Sequence, residues 1–117
     1  MITRAARALV DSGVVDVLVI TAPPGRSAQV RDAVGPLGLE LHVVDGGVTR
    51  QASVAAGLAR ADAGTDVVLV HDAARPLTPP ALVRRVVAAV RSGHRAVVPG
   101  LPVTDTIKRV APDDGAP

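Results

Sequence analysis

Two hydrophobic periods alternate along the chain. Short β-branched runs occur at residues 14–21 (VVDVLVIT), 39–44 (LELHVV), 67–70 (VVLV) and 96–99 (AVVP). The first is closed by Ala22-Pro23-Pro24-Gly25 and the second by Asp45-Gly46-Gly47. Such runs between turn formers predict β-strands. Between them, apolar residues recur every three or four positions. Residues 3–11 place Ala6, Leu9 and Val10 on one face, with Gly13 as a stop signal. Residues 27–34 form a weaker helix ending at Gly35-Pro36, and residues 50–61 carry a stripe of Val54, Leu58 and Ala61. Thr78 followed by Pro79 predicts an N-cap and first helical residue. The helix it opens carries Leu82, Val83, Val86, Val87 and Val90 and stops at Gly93.

Strands alternating with helices of this length predict an α/β fold of parallel βαβ units. Continuous apolar strands imply burial on both sheet faces. The 117 residues form one domain, with no internal repeat.

Composition narrows the picture. Hydrophobic residues make up 48% of the chain, and 22 are Val and 20 are Ala, so the core must be built from small aliphatics. The absence of Cys removes disulfides, thiol nucleophiles and thiolate zinc sites. Without Phe, Tyr or Trp there is no aromatic platform for stacking bases. The net charge is only +2, and the Arg residues are scattered rather than striped, which argues against a nucleic-acid binder. No apolar stretch is long enough to span a membrane, and the start does not read as a signal peptide, so a cytoplasmic location is expected.

In an open α/β sheet, ligands bind beyond the carboxyl ends of the strands. Four loops form that rim: residues 22–26, 45–50 (DGGVTR), 71–78 (HDAARPLT) and 100–106 (GLPVTDT). Gly46 and Gly47, placed before a helix, allow backbone N–H groups to approach an anion or a base, although two glycines also make an ordinary turn. Asp72 emerges from a buried strand where a carboxylate can hold Mg²⁺ together with phosphate oxygens, or can cap a turn. Arg75, three residues on, adds a guanidinium for phosphate. His71 reads as a packed or solvated polar residue, and His42 and His94 carry less signal. Arg84, Arg85, Arg91 and Arg95 read as a solvated face.

Three blocks, residues 45–58 (DGGVTRQASVAAGL), 68–76 (VLVHDAARP) and 102–109 (PVTDTIKR), resemble the 2-C-methyl-D-erythritol 4-phosphate cytidylyltransferases of the non-mevalonate isoprenoid pathway. Their order and spacing extend the likeness from the opening helix to about Val110. The resemblance implies a Rossmann-like nucleotidyltransferase fold, mostly parallel with flanking helices. It also implies transfer of a cytidylyl group from CTP to methylerythritol phosphate with release of pyrophosphate. By resemblance, Gly46, Gly47 and Ser53 would meet the cytidine and Ala73 would line the nucleotide. Asp72 would bind Mg²⁺, while Arg75 and Thr106, near Asp105, would hold the acceptor phosphate. Family members often carry an acidic residue after the second glycine; Val48 stands there, which removes that side-chain contact to the base.

The family's Gly-rich loop, which cradles the triphosphate and bears a catalytic Arg and Lys, has no counterpart in these 117 residues. The chain is therefore expected to be an internal, incomplete segment of such an enzyme. It would be inactive alone, with one sheet edge deprived of a neighbouring strand. Residues 103–117 would begin a dimerisation β-arm, and the full-length parent would be a homodimer. Two other readings compete: a ribitol-phosphate or other sugar-phosphate nucleotidyltransferase, and a non-catalytic binding or dimerisation remnant. The block TRQASVAAGL and the second Ala of HDAARP favour the methylerythritol enzyme over the first.

Overall fold

A computed structural model describes residues 1–109. Its elements run α1 (Ile2–Val10), β1 (Val17–Ala22), α2 (Ser27–Val34), β2 (Glu40–Asp45), α3 (Arg50–Leu58) and α4 (Pro80–Arg91). The α/β class is as expected, with helices flanking a parallel sheet. Among the described residues that sheet has two strands, paired from Val17 beside Glu40 to Ala22 beside Asp45.

The period of two in β1 sorts its side chains between the sheet's faces. Leu18, Ile20 and Ala22 are buried, and their β2 partners Leu41 and Val43 join the same cluster. Ala6 and Leu9 of α1, Val34 of α2 and Val83 of α4 complete it. Burying each Leu or Ile stabilises the fold by about 1.5–3 kcal/mol; the alanines contribute less. Thr3 Oγ1 donates to Ala33 O (2.9 Å), tying α1 to α2. Gly35, at the C-cap of α2, has φ +66°, a conformation a side chain disfavours. The opposite sheet face meets α3, where Gly57 lies over Val19 and Thr21. Val17 and Thr21 stay exposed, so β1 is not buried on both faces as its apolar run implied.

Two predicted strands are absent. Residues 67–70 and 96–99 form no ladder. A strand needs a neighbouring backbone about 4.8 Å away to share hydrogen bonds. Between β1 and residues 67–72 lies a cleft of about 1150 Å³ instead, walled by Val17, Val19 and Thr21 on one side and Val68 and Val70 on the other. The apolar run keeps only a packing role, through Leu69 against the core. Helix α4 starts one residue later than predicted, with Pro79 as N-cap and Pro80 as the first helical residue. Thr78 does not cap it; its hydroxyl donates to Arg75 O (3.2 Å). Arg84 is not merely solvated, because its Nη1 donates to Ser12 O (3.3 Å) and joins α4 to the end of α1. Residues 103–109 form no regular element, and the rest of the expected arm, 110–117, lies outside the described residues.

Candidate active site

The rim at the strand ends is built by short-range bonds that commit most of its hydroxyls. Gly46 N–H donates to Ala22 O (2.7 Å), continuing the strand pairing into the loop. Neither Gly46 nor Gly47 has a positive φ, so what calls for glycine here is space. A Cβ on Gly47 would sit 2.3 Å from that of Ala52, and one on Gly46 would sit 2.8 Å from Ser53 Oγ. Ser53 Oγ accepts Gly47 N–H (3.1 Å) and shares its own proton between Thr49 O (3.0 Å) and Gly47 O (3.3 Å). Thr49 is the N-cap of α3, its Oγ1 accepting Ala52 N–H (3.0 Å). Asp45 accepts from Ser27 Oγ (2.6 Å) and from Gly25 N–H (3.4 Å), which pins the first rim loop to the end of β2.

The third loop turns at residues 72–75, where Arg75 N–H donates to Asp72 O (2.9 Å). His71 Nε2 lies 3.1 Å from Arg75 O, the packed polar role expected of it. The Asp72 carboxylate is held between two guanidinium groups. Arg50 Nη2 and Nε both reach Oδ1, at 2.9 and 3.3 Å, while Arg75 Nε lies 3.9 Å from Oδ2. The Arg50 hydrogen bond, then its charge, holds the Asp72 carboxyl below its usual pKa. Partial burial opposes this, and Arg75 and His71 add smaller pulls in the same direction.

Arg50, Ser53, His71, Asp72, Ala73 and Arg75 line the cleft beside β1. Of the sequence-derived candidates, it therefore gathers Asp72, Arg75, Ala73 and Ser53. Gly46 and Gly47 stand behind Ser53 and do not line it. Thr106 sits exposed in the irregular stretch 101–109, away from the cleft lining. Arg75 also borders a second cleft of about 620 Å³, shared with Arg85 and Leu101. Among the described residues no three His, Cys, Asp or Glu side chains cluster as metal ligands. A divalent ion at Asp72 would thus have fewer than three such protein ligands among the described residues, which suits Mg²⁺ shared with substrate phosphates and water.

Arg50 was missed by sequence reasoning, yet a signal existed. It is the first residue of α3, where the positive end of the helix dipole disfavours a cation. A locally unfavourable charge marks a residue held by something outside its own helix.

Against known proteins, the profile of the family described as IspD, 2-C-methyl-D-erythritol 4-phosphate cytidylyltransferase, matches residues 1–115. The chain belongs to this family. It is 53% identical over 110 residues to a 2-C-methyl-D-erythritol 4-phosphate cytidylyltransferase of Rhodococcus jostii, covering 94% of this chain and 47% of that protein. A protein of the same name from Streptomyces avermitilis is 46% identical over 116 residues, covering 96% of this chain and 46% of its own length. The bifunctional enzyme IspD/IspF of Nitratidesulfovibrio vulgaris matches at 46% over 109 residues, covering 88% of this chain and 28% of that protein. The chain thus spans about half the length of the two single-function relatives.

Proposed function

We propose that the chain supplies part of a cytidylyltransferase site. In that reaction a phosphate oxygen of 2-C-methyl-D-erythritol 4-phosphate attacks the α-phosphorus of CTP. The bond to the bridging oxygen breaks and pyrophosphate leaves, giving CDP-methylerythritol. The observation that supports this reading is the Arg50–Asp72–Arg75 cluster, which lines the cleft along the flank of β1. Nucleotidyl transfer has little covalent work for protein groups; it needs phosphates positioned and their developing charge neutralised.

Each residue then has a task. Arg75 holds the acceptor phosphate; the family resemblance gives Thr106, near Asp105, the same task, but here it lines neither cleft that Arg75 borders. Gly46, Gly47 and Ser53 present a loop fixed by its own hydrogen bonds to the cytidine, and Ala73 lines the nucleotide. Asp72 is the protein ligand for Mg²⁺, which when bound screens the phosphate charges. No described helix is long and apolar enough to cross a membrane, and the complete enzyme is read as a cytoplasmic homodimer.

No Gly-rich loop bearing Arg and Lys occurs in these 117 residues, and removing even one charge-stabilising donor typically slows a reaction by about 10²–10³. The isolated chain is therefore expected to release no pyrophosphate from CTP, acceptor and Mg²⁺ above a blank; release would overturn that expectation. In a complete relative such as the Rhodococcus jostii protein, replacing the residue that aligns with Asp72 by Ala should cut turnover at least 10²-fold. Unchanged Mg²⁺-dependent turnover would remove Asp72 from the site.

A further inference from the structure

We propose that Arg50 is an exchangeable cation for Asp72: it occupies Oδ1 while no divalent ion is bound, and moves to a nucleotide phosphate when one is. The proposal rests on the reading of Asp72 as the metal-binding carboxylate and goes beyond it by giving Arg50 a function.

Three observations point this way. Both nitrogens that Arg50 offers Asp72 converge on a single oxygen, Oδ1, at 2.9 and 3.3 Å. Among the described residues, Oδ2 has only the 3.9 Å approach of Arg75. The carboxylate is thus blocked by a cation on one side and accessible on the other. Second, the pair is exposed, with side-chain accessibilities of 69% for Arg50 and 45% for Asp72. Exposed ion pairs are weak and easily exchanged, which suits a displaceable contact better than a structural staple. Third, both residues line the same cleft, so a guanidinium leaving Asp72 is already beside any phosphate bound there. A guanidinium is matched to phosphate as well as to carboxylate, by the same forked donors. Its position at the head of α3 adds to the argument. The dipole repels it from the helix, and an anion arriving at that end satisfies both the dipole and the side chain.

A purely structural bridge between α3 and the 71–75 loop makes a different forecast, because its removal would weaken every binding event or none. The exchange predicts opposite signs for two measurements. Mn²⁺ serves as the probe, its binding to the 117-residue chain followed by the loss of the free-ion paramagnetic resonance signal. CTP binding is then measured calorimetrically at saturating Mn²⁺. R50Q should tighten Mn²⁺ binding roughly fivefold, the size of one like-charge contact relieved in water. The same variant should weaken CTP binding about tenfold or more. R50K, which keeps the charge, should hold Mn²⁺ affinity near wild type and recover part of the CTP affinity. Circular dichroism of each variant confirms that its helices are intact. If D72N abolishes Mn²⁺ binding while R50Q leaves it unchanged or weaker, the exchange is refuted and the role of Asp72 survives. If D72N leaves Mn²⁺ binding untouched, or wild type and R50Q both fail to bind, the exchange and the metal assignment fall together.

Discussion

At position 47 there is no room for a side chain. The 2.3 Å approach to the Ala52 Cβ means that Gly47→Ala must push the rim loop away from the first turn of α3. Overpacking of this kind costs about 1–3 kcal/mol, and a lowered thermal midpoint would register it; an unchanged midpoint would show that the loop yields freely. Asp72 gives the second prediction at this scale. Its folded pKa is depressed from 3.8, so its contribution is present above that value and is lost as pH falls through the lower, folded one. The side-chain carboxyl resonance of Asp72 should therefore titrate below the ordinary aspartate range and return toward it in R50Q. Asp72 and Arg75 were legible because a carboxylate and a guanidinium stand three residues apart where an apolar run ends. The pairing of Arg50 with Asp72 was not, since the two lie 22 residues apart and only the fold joins them.

Elements were legible wherever local pattern and tertiary contact agree. Helix α2 spans Ser27–Val34 as its periodicity and the Gly35-Pro36 break predicted, and β2 is offset by one residue from its apolar run, while β1 begins at Val17, later than its run at 14–21 suggested, and ends at Ala22. The third run failed for a physical reason: β-branched composition describes a side chain's preference, whereas a strand also requires a hydrogen-bonded neighbour. Val67, Val68, Leu69 and Val70 retain the composition and lack the ladder. Amide exchange should separate the two cases. The paired interior of β1 and β2 is expected to be protected, and amides 67–70 are expected to exchange rapidly. Protection at 67–70 equal to that of β1 would contradict the open cleft. The shift of α4's start from Pro79 to Pro80 has a similar origin. The Thr78 hydroxyl had two acceptable uses, and the Arg75 carbonyl took it.

Across the whole molecule, the radius of gyration is 17.2 Å, against about 13 Å for a compact domain of this length. The difference fits a two-stranded sheet with a large cleft along one edge and an extended stretch at 101–109. Val68 and Val70 are about half exposed on the cleft wall, and Leu101, Val103 and Ile107 lie open to solvent. Apolar surface of this extent promotes association, and an unpaired strand edge adds to it. The protein should therefore bind the dye ANS strongly and sediment as larger species as concentration rises. A monomer without dye binding at high concentration would mean that the cleft closes in solution. The loops after β1 and β2 share one rim because paired parallel strands end together, as the sequence pattern implied; Asp72 reaches that rim through Arg50, whereas Thr106 of the fourth loop does not line the cleft. What it could not supply was the distance between β1 and the third run, which depends on packing rather than on local preference.

A chain without Phe, Tyr or Trp is nearly silent in near-ultraviolet light. One indole introduced by Val68→Trp, on the cleft wall, would be its sole fluorophore. Its emission would shift to shorter wavelength whenever another chain or a ligand expelled solvent from that space, making the vacant flank of β1 a built-in optical gauge of its own occupancy.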